Sequence, residues 1–324
     1  MNLTLLLQLA ISGFLLGGVY SLIALGLSLI FGVMRVINFA HGEMMVWGMY
    51  VAYTILLWTG IDPFFSFLVS AAVLFILGYL LQRTVVNRIL DFPEAMQVLP
   101  LVGMAMVFEN SARIIWGPDY ISPQSRFSLS SLSLGDIIID TPRLLAFSLA
   151  IIITMIVLLF LKKTDMGKSI RAAADNRTGA LLVGTDVNKV YAVCFGIGTA
   201  CVGTAGGLLV PIMPLSPHIG APFTLISFII VILGGMGSLT GALVGGFIIG
   251  VAESIGPELI TNLFHGVGLD LEFPHTMKQV VSFFILIVIM ILRPQGLFGG
   301  KKGWKGSPFS SSSDFSFFWC YRSF

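Results

Sequence analysis

Charge is the scarcest ingredient of this 324-residue chain: Asp, Glu, Lys and Arg together make up 10% of it. A soluble domain carries about 25%, so a surface built from these residues cannot face water on all sides. The charges nearly cancel, at net +2, which leaves no basic footprint for nucleic acid. Cysteine is almost absent. Cys194 and Cys201 lie in an apolar segment and Cys320 lies near the end. That is neither a disulfide framework nor a metal cluster, and all three read as small apolar filler. No GxxxxGK[ST], HExxH, CxxC or GxSxG pattern occurs. The chain therefore lacks the usual phosphate loop and the usual hydrolytic or redox constellations, and it reads as a non-enzyme with no metal and no cofactor of its own. The first residues show no basic n-region and no small-residue cleavage site, so Met1 to Phe31 reads as a retained first span.

What the chain does have is apolar length. Hydrophobic residues make up 56% of it, and the mean hydropathy is +0.96. Apolar runs broken by charge, Gly and Pro mark spans at about 7–32, 44–59, 63–82, 95–116, 143–161, 189–211, 222–235, 240–257 and 277–293. Two of these lie back to back around Gly234-Gly235-Met236-Gly237 and read either as two crossings or as one re-entrant element. The fold class is all-α: a polytopic transmembrane helical bundle of eight or nine spans, with broken or short helices, over residues 1–300. The loops at 83–91 and 162–189 and the tail after 293 hold the basic residues and read as cytoplasmic. The acidic, Ser-rich loop at 117–142 and the acidic loop at 258–276 read as the outer face, which puts the C-terminus inside. Gly is plentiful, at 36 residues, and its clusters within spans allow close helix approach. No strong internal repeat stands out.

Four segments could carry function. The stretch 164–188 lies in a basic loop yet is built as a helix. Thr164 or Asp165 can cap it, and Ile170, Ala173, Ala174 and Leu181 fall on one side. Gly184 can close it in the left-handed conformation, and Thr185 or Asp186 can cap the next span. Its Ala-rich face has no obvious cover within the chain and is expected to take a cytoplasmic partner. The stretch 32–48 places Arg35, Asn38, His41 and Glu43 between two apolar runs. Each charge at a bilayer centre costs about 2.5–3.5 kcal/mol on insertion scales, so these residues are expected at an interface or facing the protein interior, as a hinge, a path lining or a gate. His41 and Glu43 are two apart and do not share a helix face, which argues against a metal site. Glu109 precedes Arg113 by four, the favourable order for a helical ion pair. The stretch 216–253 is apolar but interrupted by Pro and Gly, and half-helix ends there could expose backbone dipoles to a solute.

Several motifs together carry a family resemblance: GLSLIFGVMRVINFAHGEMMVWGMY at 26–50, GKSIRAAADNRTGALLVGTDVNKV at 167–190, SPHIG at 216–220, LGGMGSLTGALVGG at 233–246 and RPQGLFG at 293–299. On these, the chain resembles the permease subunits of bacterial ABC importers for branched-chain amino acids, of the LivH type, over about residues 5–300. The resemblance implies a permease in the bacterial inner membrane. Its expected partners are ATP-binding subunits, a second related permease and a periplasmic solute-binding protein, with ATP used by the partners. It also implies that the 165–184 helix docks on the ATPase through Gly167, Arg171, Ala172, Ala173, Asp175, Asn176, Ala180 and Gly184. The solute's path or gate is expected at Asn38, His41, Glu43, Gly234, Gly235 and Gly237. A relative carrying urea, short amides or another small amino acid would share this architecture. An ion-coupled secondary transporter would need ionisable groups at mid-membrane, where Glu109 and Arg113 are the candidates. Residues 301–324 depart from the family pattern and read as a disordered cytoplasmic tail.

Overall fold

A computed structural model describes residues 3–299, apart from 124, 128–129, 135–136 and 267–276. The tail at 301–324, its lysines, and Asp136, Asp270 and Glu272 lie outside the described residues. The long apolar runs form helices: α1 (Leu3–Met34), α2 (His41–Thr59), α3 (Pro63–Leu81) and α4 (Glu94–Trp116). After a short β-hairpin come α5 (Thr141–Lys163), two small helices α6 (Asp165–Asp175) and α7 (Arg177–Leu182), and α8 (Val187–Leu209). The bundle ends with α9 (Gly220–Gly234), α10 (Leu239–Gly266) and α11 (Met277–Leu292).

Local signals set the boundaries. The Asp62 side chain caps α3 by accepting from Phe64 N–H at 3.0 Å, with Pro63 in the first helical position. Its other oxygen accepts from Ser125 Oγ at 2.6 Å and Arg126 N–H at 3.1 Å. One carboxylate thus starts a helix and anchors the long loop. Gly60 ends α2 with φ 69°, in the left-handed region. Within the expected all-helical class the hairpin is an addition. Strands β1 (Ser131–Leu134) and β2 (Ile137–Asp140) pair antiparallel, Ser131 opposite Asp140. The alternating Ser-Leu and the Ile run supply the pattern.

Seven helical segments among the described residues are long and apolar enough to cross a membrane; α2 is not one of them, and α11 is a shorter apolar helix. Burial divides them. The most apolar windows of α1 and α8 are 83% buried, against 22% for α4 and α5. The core is therefore α1 against α8, and α4 and α5 offer their surface to lipid or to other subunits.

The chain also carries an arrangement absent from its sequence pattern. Helix α1 packs on α10, and α8 packs on α3. Both contacts are antiparallel and close: side chains at Gly17 and Gly207 would lie 2.9 Å from Gly246 O and 3.0 Å from Phe67 Cα. Helices α1 and α8 run antiparallel to each other, with Cys194 Sγ beside Leu29 O and Gly198 beside Gly26. Each is followed by a non-helical stretch and a short helix, α2 and α9, and these two short helices touch. Helix α4 packs on α2 and α11 packs on α9. So α1–α4 and α8–α11 are related by inversion, the architecture that places a solute site where the two halves meet.

Candidate functional site

The meeting point is built from residues 35–43. Helix α1 stops at Arg35, an exposed residue in the left-handed region with φ 54°. The β-branched Val36 and Ile37 then favour extended chain. Asn38 turns it, its Oδ1 accepting from Ala40 N–H at 3.1 Å. His41 Nε2 lies 2.9 Å from the Ile23 carbonyl, and a carbonyl only accepts, so this nitrogen carries the proton. Ile23 lies eleven residues before Met34, about 16 Å back along α1. Six extended residues reach about 20 Å. Helix α2 therefore starts deep within the bundle.

Helix α9 starts at the same place. Ser216 Oγ accepts from His218 N–H, Pro217 opens a 3₁₀ turn, and α9 follows from Gly220. Across the junction, Gly42 N–H donates to Thr224 Oγ1 at 2.9 Å. Asn38, His41 and Glu43 are all buried. The Glu43 carboxylate lies against Gly220, where any side chain would collide with it. Its Oε2 and His41 Nδ1 have no protein partner among the described residues. Two short helices thus point their N-terminal, electropositive ends at one buried spot, beside a carboxylate with spare acceptor capacity.

A half-exposed charged trio flanks this spot. Arg113 Nη2 meets Glu109 Oε1 at 2.6 Å, and His218 Nδ1 lies 3.1 Å from the same oxygen and 3.0 Å from the guanidinium. Nδ1 accepts from Arg113 when bare and donates to Glu109 when protonated, so it serves one neighbour at a time. The Glu109–Arg113 pair is the one that the sequence spacing predicts; His218 is an addition from the opposite half. Trp47 Nε1 donates to Phe108 O at 3.0 Å and Trp116 Nε1 to Thr54 Oγ1 at 3.0 Å, holding α4 against α2.

Gly234, Gly235 and Gly237 lie elsewhere, in the turn between α9 and α10. Gly235 has φ 98° and Gly237 φ 81°. The segment after α11 stitches this turn: Leu297 N–H donates to Leu233 O at 2.8 Å and Phe298 N–H to Gly234 O at 3.0 Å. The RPQGLFG motif therefore satisfies the carbonyls at the end of α9. The glycines allow that approach, and the structure does not bring them to Asn38, His41 or Glu43.

The amphipathic loop is two helices, not one. Thr164 Oγ1 accepts from Gly167 N–H at 3.0 Å and caps α6. Asn176 breaks the helix and caps α7, its Oδ1 accepting from Gly179 N–H at 2.9 Å. Gly184, at φ 81°, closes α7, with Thr185 N–H returning to Ala180 O at 3.0 Å. Asp186 caps α8 through Lys189 N–H. The exposed Asp165 accepts from Lys168 Nζ at 2.8 Å, and that bond together with the lysine's charge holds its carboxyl below the usual aspartate range.

Burial corrects the expected docking face. Ile170, Ala173 and Ala180 are buried, because α6 rests on α1, α5 and α8. The chain covers that face itself. Gly167 is also buried, beside the Leu161 backbone, and the Arg171 guanidinium donates to the Leu161 carbonyl. The exposed residues include Arg171, Ala172, Ala174, Asp175, Asn176 and Gly184, with Leu181, Leu182 and Val183 at 53%, 83% and 79% exposure. Arg177 ties this unit to Asp91 at 3.2 Å and lies over the Tyr191 ring.

One buried acid escaped the sequence reading. Glu253, in the middle of α10, accepts from Tyr20 Oη at 3.0 Å and Ser282 Oγ at 2.6 Å. Both oxygens are engaged, and the triad joins α1, α10 and α11. The only sequence signal was a lone acid in a Gly-rich span. Glu43 and Glu253 are thus buried acids, whereas the Glu109–Arg113 pair that the sequence offered is part-exposed.

Inverted halves meeting at two short helices, with a compact two-helix arm at the basic end, define the membrane-spanning permease of a transporter. The chain belongs to the family described as the permease component of branched-chain amino acid transport systems, whose model matches residues 9–290. It is 28% identical to the high-affinity branched-chain amino acid transport permease BraD of Pseudomonas aeruginosa over 306 residues, covering 90% of this chain and 95% of the relative. It is 29% identical to LivH of Salmonella typhimurium over 308 residues, with the same coverage. A probable LivH of Methanocaldococcus jannaschii is 30% identical over 288 residues, covering 86% and 88%. No solved structure matches.

Proposed function

We propose that this chain is the membrane path of an ATP-driven importer for branched-chain amino acids in the bacterial inner membrane. The observation that carries this reading is the α6–α7 arm. It is rigidly seated on α1, α5 and α8, the helices of the core and its edge, yet presents a polar and apolar outer face. An ATP-binding subunit docked on Ala172, Asp175, Asn176 and Leu182 would push on the bundle through Gly167, Ala173 and Ala180, with Arg171 and Gly184 fixing the arm's two ends. ATP is then used by the partner and not by this chain. The remaining partners on this reading are a second, related permease and a periplasmic solute-binding protein.

The path runs through the junction of α2 and α9, with Asn38, His41 and Glu43 as its gate. Gly234, Gly235 and Gly237 form a hinge at the basic end of α9. Helix directions support nine crossings, with residues 35–59 returning as one of them. The basic ends at 83–91 and 162–189 support a cytoplasmic C-terminus and an external N-terminus.

Uptake of radiolabelled leucine by vesicles containing the assembled transporter tests the reading. Depleting ATP while the proton gradient is preserved should abolish uptake. Uptake that persists without ATP and collapses with the gradient would overturn it.

A further inference from the structure

A groove outside the proposed path has the features of a lipid site. It lies between α3 and α5, which barely touch, and its floor is α8. Its volume is about 350 Å³, and its walls include Phe67, Phe75, Ile156, Phe160, Val193 and Ile197. The lining is almost wholly apolar. From Phe67 to Phe75 it runs about 12 Å along α3.

The basic end of this groove is where the sequence becomes informative. Residues three, four or eight apart share a helix face. Lys163 lies three residues beyond Phe160 on α5, and Lys189 lies four before Val193 on α8. Arg83 lies eight beyond Phe75, with Tyr79 between them. The Phe75 and Tyr79 rings stack at 6.4 Å, and the Arg83 guanidinium sits 5.7 Å over Tyr79. Helices α5 and α8 therefore each carry a cation on the groove's own face, and Arg83, in the π-helical turn that follows α3 (Gln82–Val86), is brought to the same end by its contact with Tyr79. All three cations are exposed.

Most of the described acids at this end already have partners, and Asp175 lies exposed on the arm. Asp165 pairs with Lys168, Asp91 with Arg177, and Asp186 caps α8. Apolar walls under a cationic rim are the complement of an anionic amphiphile.

We propose that the α3–α5–α8 groove binds an anionic phospholipid, with an acyl chain against Phe75 and Phe160 and the phosphate held by Lys163, Lys189 and Arg83. Charge complementarity selects this occupant over a neutral lipid, and the open apolar walls suit a chain better than a polar solute.

The test is native mass spectrometry of the full chain in mild detergent, with phosphatidylglycerol and phosphatidylcholine of matched acyl chains. The wild type should retain phosphatidylglycerol preferentially. The double variant Lys163→Gln/Lys189→Gln should lose most of that preference, about fivefold per cation removed, while still taking up both lipids. Lys168→Gln, a cation off this face, should keep the preference. Ala71→Trp, which fills the groove, should reduce retention of both lipids. Equal retention of the two lipids by the wild type would overturn the proposal. So would an unchanged preference in the double variant, or the same loss in Lys168→Gln. Melting temperatures confirm that each variant is folded.

Discussion

The junction of the two short helices makes a sharp demand on Gly42. A side chain there would meet the Gly220 carbonyl and lie 2.7 Å from Thr224 N. Ordinary contact begins near 3.4 Å, so α9 would have to retreat by about 0.7 Å to clear Thr224 N alone, and further to clear the Gly220 carbonyl. Overpacking of this kind costs about 1–3 kcal/mol. The retreat also stretches the 2.9 Å bond from Gly42 N–H to Thr224 Oγ1, and an unsatisfied buried donor costs about 1–3 kcal/mol. Gly42→Ala should therefore destabilise the chain by about 2–6 kcal/mol. At roughly 2 °C per kcal/mol for a large domain, the melting temperature in mild detergent should fall by about 4–12 °C. Thr224→Val removes the acceptor and keeps the shape, so it isolates the hydrogen-bond share, about 2–6 °C. Gly103 on α4 is the control. Nothing lies within 4 Å of an added Cβ there, and Gly→Ala in a helix gains about 1 kcal/mol. A Gly42→Ala protein that melts and transports like the wild type would refute the idea that the two halves touch at this point.

Three further outcomes follow from burial and hydrogen bonding. Ala173→Glu should unfold or misassemble the α6 arm, because Ala173 is 3% exposed against the chain's own helices; trypsin sensitivity of the 162–189 loop reads this directly. Leu182→Asp should leave the melting temperature unchanged, since Leu182 is 83% exposed, but should abolish co-purification of the ATP-binding subunit; normal co-purification would count against the arm as the docking surface. Tyr20→Phe leaves Glu253 with Ser282 as its one donor, and the loss should cost about 1–3 kcal/mol, read as a fall in melting temperature that Glu253→Gln does not add to in full.

The helices, the basic and acidic ends and the caps at Thr164, Gly184 and Asp186 were legible because each rests on a local rule. Burial of the 165–184 segment was not. Spacing placed Ile170 and Ala173 on one face, but whether that face meets a partner or the chain's own helices depends on how α8 folds back and on α1, more than a hundred residues away in sequence. The break at Asn176 was missed because Asn is tolerated within helices and its capping role appears only when Gly179 N–H is there to donate to its Oδ1. The junction was partly legible. Asn38, His41 and Glu43 stood out as polar residues in an apolar context, and all three proved buried. The groups that complete the junction, Ile23 O at His41, Gly220 against Glu43 and Thr224 bonded to Gly42, carry no charge and gave no signal.

The inverted halves left no sequence repeat for a physical reason. A membrane helix needs only apolar length on its lipid side and small residues where it crosses a neighbour, and many sequences meet both conditions. What the two halves share is the placement of glycines at crossings, Gly13 and Gly17 against Gly250 and Gly246, and Gly203 and Gly207 against α3. Side-chain identity is free to drift around those points. Polar groups then appear singly, where one half must hold the other: Ser21 Oγ donates to Leu243 O at 2.7 Å, and Thr199 Oγ1 donates to Leu74 O at 2.8 Å. These two bonds occupy corresponding crossings, α1 on α10 and α8 on α3. The symmetry is thus kept by backbone contacts and single hydroxyls, which a reading of apolar runs passes over.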